Sequence, residues 1–184
     1  MGSQAVGDTA TSQLLDGRVI SLRRIDGEDA EAVVALHQQL SDDDRYFRFF
    51  TMHPAHLHQL VSKLIEPKDG QYALGAFDGD RLMGVANYTV CADPTAADIA
   101  IVVAHEDHSV GVGTALLKRL AQIARAHGIR RFIADVLAQN HLMLAVLSDF
   151  GWPRERSNFG SILHLNISLP DRIDVPLPAS QENS

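Results

Sequence analysis

The block over residues 97–137 constrains this chain most. It opens with Ala97-Asp98-Ile99-Ala100-Ile101-Val102-Val103-Ala104, apolar throughout except for Asp98, as expected of a strand covered on both faces. The turn His108-Ser109-Val110-Gly111-Val112-Gly113-Thr114 then opens the clearest helix of the sequence, residues 112–127. That helix gathers Leu116, Leu117, Leu120, Ile123 and Ala124 on one side and stops at Gly128, a C-cap residue. Residues 131–137 return as a second buried strand. A strand that enters a helix through glycines is suited to holding an anion. Backbone N–H groups of the first turn lack helical partners, the helix dipole favours negative charge, and glycine lets a phosphate approach the main chain. The same glycines also serve ordinary turns, so on their own they leave both readings open.

Around this block the periodicity predicts a strand over 18–25 and a helix after Asp26, which offers an N-cap ahead of Glu28 and Asp29. Leu57, Leu60, Val61, Leu64 and Ile65 predict a second helix between Pro54 and Pro67. Residues 72–77 and 82–90, separated by Asp78-Gly79-Asp80-Arg81, read as a hairpin. Asn140 caps a short helix through Leu147, and residues 159–167 close as a final strand. The resulting α/β (α+β) arrangement is a single domain over 17–169 with a mixed central sheet. Residues 1–16 and 170–184 read as flexible tails, because they are polar or proline-bearing and lack periodicity.

Composition narrows the partners. A net charge of −7 and a pI near 5.6 argue against nucleic acid and anionic membranes. No apolar run reaches the ~18 residues of a membrane span, and the start lacks a basic segment followed by an apolar one. The single cysteine, Cys91, excludes an internal disulfide and fits a cytoplasmic protein. His53, His56 and His58 cluster, as do His105 and His108, yet neither group has third and fourth ligands at a recognised spacing, so no metal is expected.

The order and spacing of these motifs, with Asp135-Val136-Leu137, Asn140 and Phe150-Gly151-Trp152 downstream, resembles the GNAT family of acyltransferases over residues 18–167. The resemblance implies a mostly antiparallel sheet flanked by about four helices and acetyl-CoA as acyl donor. Ile101, Val102 and Val103 match the strand whose backbone holds the pantetheine arm. His108, Ser109, Val110, Gly111, Val112, Gly113 and Thr114 match the loop and helix start that wrap the pyrophosphate. Asn140 matches a polar position that contacts the cofactor. A narrower likeness, Leu40-Ser41-Asp42-Asp43-Asp44-Arg45-Tyr46-Phe47-Arg48-Phe49-Phe50, is to the GNAT domains of bacterial protein-lysine acetyltransferases. It implies a protein lysine or small amine as acceptor, and the family also implies a homodimer as one assembly.

Amide formation requires a neutral amine, hence a proton acceptor. Asp98 is the best placed residue, because it interrupts an apolar strand and matches a position where the lysine-acetylating relatives carry Glu. Burial there would raise its pKa toward a useful range. The plain alternative is a carboxylate at an exposed strand end. The tyrosine that often serves the family as general acid, seven residues after Asn140, is Leu147 here. The loop also departs from the pattern, with His108 for Gln or Arg, Ser109 for the first Gly and Val110 for a basic residue. These departures keep a second reading open, a catalytically silent GNAT-like module that binds acyl-CoA or another ligand.

Overall fold

A computed structural model describes residues 9–43 and 57–173. Its eight strands form one sheet in the order β1-β2-β3-β4-β5-β6-β8-β7. The strands are β1 (Thr9–Gln13), β2 (Val19–Arg24), β3 (Gln71–Asp78), β4 (Arg81–Val90), β5 (Ala96–Val103), β6 (Arg131–Leu137), β7 (Arg154–Phe159) and β8 (Ile162–Ser168). Every neighbouring pair is antiparallel except β5 and β6, which run parallel. The described helices are α1 (Ala30–Gln38), α2 (Leu57–Ile65), α3 (Val112–Ala126) and α4 (His141–Asp149). The sheet is thus mixed and mostly antiparallel, as the sequence predicts.

Alternation along the strands divides the core in two. Ala73, Phe77, Val85 and Val102 turn toward α1 and α2, meeting Val33, Leu36, Val61 and Leu64. Leu74, Ala86, Tyr88, Ala97, Ile99, Phe132, Ala134 and Val136 turn the other way and pack on Leu116, Leu117, Leu120 and Ala124 of α3 and Leu147 of α4. The entry to α1 is a capping box: Asp26 accepts from Glu28 N–H at 2.9 Å, while Asp29 accepts from Asp26 N–H and holds Arg23 through two contacts of 2.8 Å.

Four expectations need correction. Residues 1–16 are not wholly a tail, because Thr9–Gln13 pairs with Val19–Arg24 and Leu14 is buried. A polar segment of this kind gains its order from its partner strand, a non-local contact. Residues 170–173 likewise dock on α3, with Gln122 Nε2 donating to Ile173 C=O at 3.1 Å and Arg125 pairing with Asp171 at 2.8 Å. The predicted final strand over 159–167 is two strands, since Gly160, at φ +63°, turns the chain between Phe159 and Ile162. Finally, β5 is not covered on both faces along its length, because Asp98 is exposed and Ala100, Ile101 and Val103 are half-buried.

Candidate functional site

The uncovered part of β5 follows from how the sheet opens. β5 and β6 pair only at Ala96↔Arg131, Ala97↔Phe132 and Asp98↔Ile133, and beyond that point they diverge while β6 stays paired with β8 up to Leu137↔Ile162. The direction of the β5 peptide groups can be fixed from its antiparallel neighbour. Cys91 N–H donates to Ala96 C=O at 2.8 Å and Ala104 N–H donates to Met83 C=O at 2.8 Å. Even-numbered residues therefore bond to β4, and the peptide groups of Ile101 and Val103 point into the opening.

Two cavities meet there. One, of about 320 Å³, is lined by Ile101, Val102 and Val103 of β5, by the turn residues His108, Ser109 and Gly111, by Val112, Gly113 and Thr114 of α3, and by Asn140. The other, of about 540 Å³, holds Asp98 with Thr89, Cys91, Asp135 and Val136. Ile101, Asn140 and Met143 line both. Of the residues singled out by sequence, Val110 lines neither. It packs against the core, and its C=O accepts from Leu15 N–H at 3.0 Å.

The turn has the backbone geometry of an anion cradle. Gly111 is the N-cap of α3 at φ +96°, and no side chain caps the helix start. The N–H groups of the first turn thus border the cavity without a side-chain partner. A Cβ on Gly113 would lie 3.2 Å from Val146 Cγ2, so its absence keeps the space between α3 and α4 open. Ser109 also has positive φ, +70°, in a region that favours glycine. His108 Nε2 donates to Val103 C=O at 3.0 Å, which ties the loop to the end of β5.

The arginines near this turn are engaged beneath it. Arg81 holds the buried Asp107 through contacts of 2.7 and 2.9 Å and also meets Glu106, while Arg18 pairs with Asp16 and Asp78 and lies 3.5 Å from Asp107. The carboxylate of Asp107 holds the Arg81 guanidinium above its ordinary pKa. No Lys or Arg lines the first cavity among the described residues, whereas Asp107 and Asp149 do. The polar lining contributed by the turn and the start of α3 is therefore backbone N–H groups and uncharged side chains rather than cationic ones.

Asp98 is exposed by surface area, yet it lies in a concavity whose protein walls displace much of its water. This partial burial pushes its pKa above 3.8; the charge of Asp135 acts in the same direction and His164 opposes it. Asn140 accepts from Met143 N–H at 3.1 Å and caps α4, so its side-chain oxygen has a structural duty besides facing both cavities. Leu147 is buried in the core and brings no donor to the site.

Sequence reasoning missed Leu15, from the β1–β2 connection, and Leu142, Met143 and Val146 of α4, all of which line the first cavity. Leu15 carried no signal because its segment lacks periodicity, and the cleft-facing side of α4 looks like ordinary helix. Residues 44–50 of the upstream likeness, and His53 and His56, lie outside the described residues. Among the described residues no three His, Cys, Asp or Glu side chains are grouped as a metal site.

A sheet opened at its parallel pair, with a glycine turn and an uncapped helix start at the opening, is the architecture of an acyltransferase. The chain belongs to the acetyltransferase (GNAT) family, whose model matches residues 33–152. It is 28% identical over 155 residues to an acetyltransferase of Pseudomonas aeruginosa, an alignment covering 82% of this chain and 83% of that protein. Its structure is similar to the GNAT domain of the S. lividans protein PAT, with a TM-score of 0.80 and 29% identity over 91% of this chain and 100% of the other. The PaiA N-acetyltransferase of Thermoplasma acidophilum, solved in complex with coenzyme A, shares the fold at a TM-score of 0.61 and 18% identity, with 81% of this chain and 98% of that one covered.

Proposed function

We propose that the chain transfers an acetyl group from acetyl-CoA to a primary amine, a protein lysine or a small amine, by direct attack with Asp98 as general base. The observation that carries this reading is the meeting of two cavities at Ile101, Asn140 and Met143. On one side lies the backbone cradle, on the other a carboxylate with a raised pKa. The likeness to a coenzyme A-bound relative and the helix start left without a side-chain cap at the glycine turn support acetyl-CoA as the donor.

Acetyl-CoA supplies an activated thioester acyl group. The N–H groups of Val112, Gly113 and Thr114 face its pyrophosphate, and the outward peptide group of Ile101 with the Val103 N–H aligns its amide-bearing arm as an added strand would, the Val103 C=O being held by His108. Asp98 takes a proton from the acceptor ammonium, directly or through water, and frees the lone pair that attacks the thioester carbon. A β5 N–H facing the opening stabilises the oxyanion. The C–S bond then breaks and the thiolate leaves; with Leu147 buried, it takes its proton from water.

Calorimetry with acetyl-CoA, followed by a thiol-release assay over a panel of small amines and lysine-bearing proteins, tests the proposal. Asp98→Asn should lower kcat about a hundredfold or more while leaving acetyl-CoA affinity unchanged. Tight binding without turnover on any amine would favour the silent module, and absence of binding would refute the site.

A further inference from the structure

The second cavity is lined by Asp135, which belongs to a pair with His164 that the reaction above does not use. Asp135 of β6 and His164 of β8 are cross-strand partners, and His164 Nδ1–H donates to Asp135 Oδ1 at 2.7 Å. Asp135 lies across the opening from Asp98, where β5 and β6 have parted. Asp98 pairs with Ile133, and Asp135 lies two residues further along the same strand. Ala97, Ile99, Ala134, Val136, Leu163 and Leu165 all enter the α3 core, so Asp98, Asp135 and His164 share the opposite face. Asp135 and Asp98 line the same cavity. The Phe159 ring lies nearly perpendicular to the His164 imidazole, 6.4 Å between centroids. The two side chains are 50% and 39% exposed, and a pair so open to water contributes little to folding. Stability therefore does not account for its position.

We propose that the Asp135–His164 pair is a positioning element of the acceptor site, in which His164 fixes the Asp135 carboxylate beside Asp98 so that its negative charge favours proton transfer from the acceptor amine to Asp98. The proposal rests on the reading of Asp98 as the base. Two carboxylates on one wall resist being ionised together, so the one nearer the amine takes the proton more readily. His164 counters this when it is protonated. The other groups around Asp98 are few among the described residues. Asn87, Thr89 and Cys91 come from the β4 side, and Asn140 and Met143 from α4. Glu155 of β7 lies one strand beyond β8, in register with Asn166, and Arg131 at the start of β6 is held by Asp93 at 2.7 Å. Asp135 and His164 are the charges that bear on Asp98 most directly, and they act with opposite sign.

That opposition makes the test specific. The side-chain carboxyl carbon of Asp98 is titrated by NMR in the wild type, Asp135→Asn and His164→Gln proteins, with no acceptor present. The acid limb of kcat/KM is then measured with acetyl-CoA and an amine that the panel shows to be a substrate. Asp135→Asn should move the Asp98 midpoint down; His164→Gln, whose amide N–H keeps a bond to Asp135 while carrying no charge, should move it up, with the acid limb following each and the KM for acetyl-CoA unchanged. An Asp98 midpoint unmoved by Asp135→Asn, or moved the same way by both substitutions, overturns the pair's role alone. Midpoints that move while the acid limb stays fixed refute Asp98 as the base, and the pair's catalytic role with it.

Discussion

Gly84 offers a test of how tightly β5, the strand that lines the cleft, is set against its neighbour. It lies on β4 opposite Val103, and a Cβ built on it would stand 2.8 Å from Val102 C=O, 3.1 Å from Leu116 Cδ1 and 3.4 Å from Val103 Cα. Ordinary contact begins near 3.4 Å, so Gly84→Ala forces a shift of about half an ångström against backbone on one side and a fully buried leucine on the other. Overpacking of this kind costs about 1–3 kcal/mol. The smaller conformational entropy of unfolded alanine offsets about 0.4–1 kcal/mol of that. The net loss is about 1–2 kcal/mol, read as a fall in Tm of about 2–8 °C for a chain of this size. Because the displaced segment is Val102–Val103, acetyl-CoA affinity should fall about tenfold as well. Thermal and urea unfolding, with calorimetry on the folded variant, measure both effects. Gly27→Ala is the control, since its Cβ would meet nothing within 4 Å. A Gly84→Ala protein as stable as wild type, with unchanged acetyl-CoA affinity, would refute the packing argument and the placement of β5 in the site.

The two positive-φ residues of the turn should respond in opposite ways. Gly111→Ala should destabilise the protein by about 1 kcal/mol, whereas Ser109→Gly should be neutral or stabilising by up to about 1 kcal/mol; urea midpoints that move in the same direction contradict the assigned backbone. With no Lys or Arg lining the first cavity among the described residues, acetyl-CoA affinity should change less than about threefold between about 50 and 300 mM NaCl. A tenfold fall would show that a cation outside those residues meets the phosphates. Asp98 binds its proton more tightly folded than unfolded, so it lowers stability as pH rises from below 3.8 through its raised pKa. Asp98→Asn should therefore match wild type in urea unfolding at low pH and exceed it at neutral pH; a variant that loses ground as pH rises contradicts the direction of the shift.

Where a residue's role is carried by its immediate neighbours in the chain, the sequence by itself determined the outcome. Apolar alternation and helical period predicted α3 and β6, the latter to the residue, and the run from Asp26 to Asp29 predicted the capped turn that leads into α1. Gly111, just before α3, announced the glycine-led helix start, because that conformation is local. What depends on which strands meet lay beyond reach. Thr9–Gln13 is polar and aperiodic and becomes a strand only beside β2. The apolar run of β5 fits a fully covered strand equally well, and only the divergence of β5 from β6 past Asp98 bares its inner edge. Asp98 was legible as a carboxylate out of place. Its exposed position, the cavity around it and the Asp135–His164 pair beside it arise from cross-strand register among β5, β6 and β8, which no local pattern encodes.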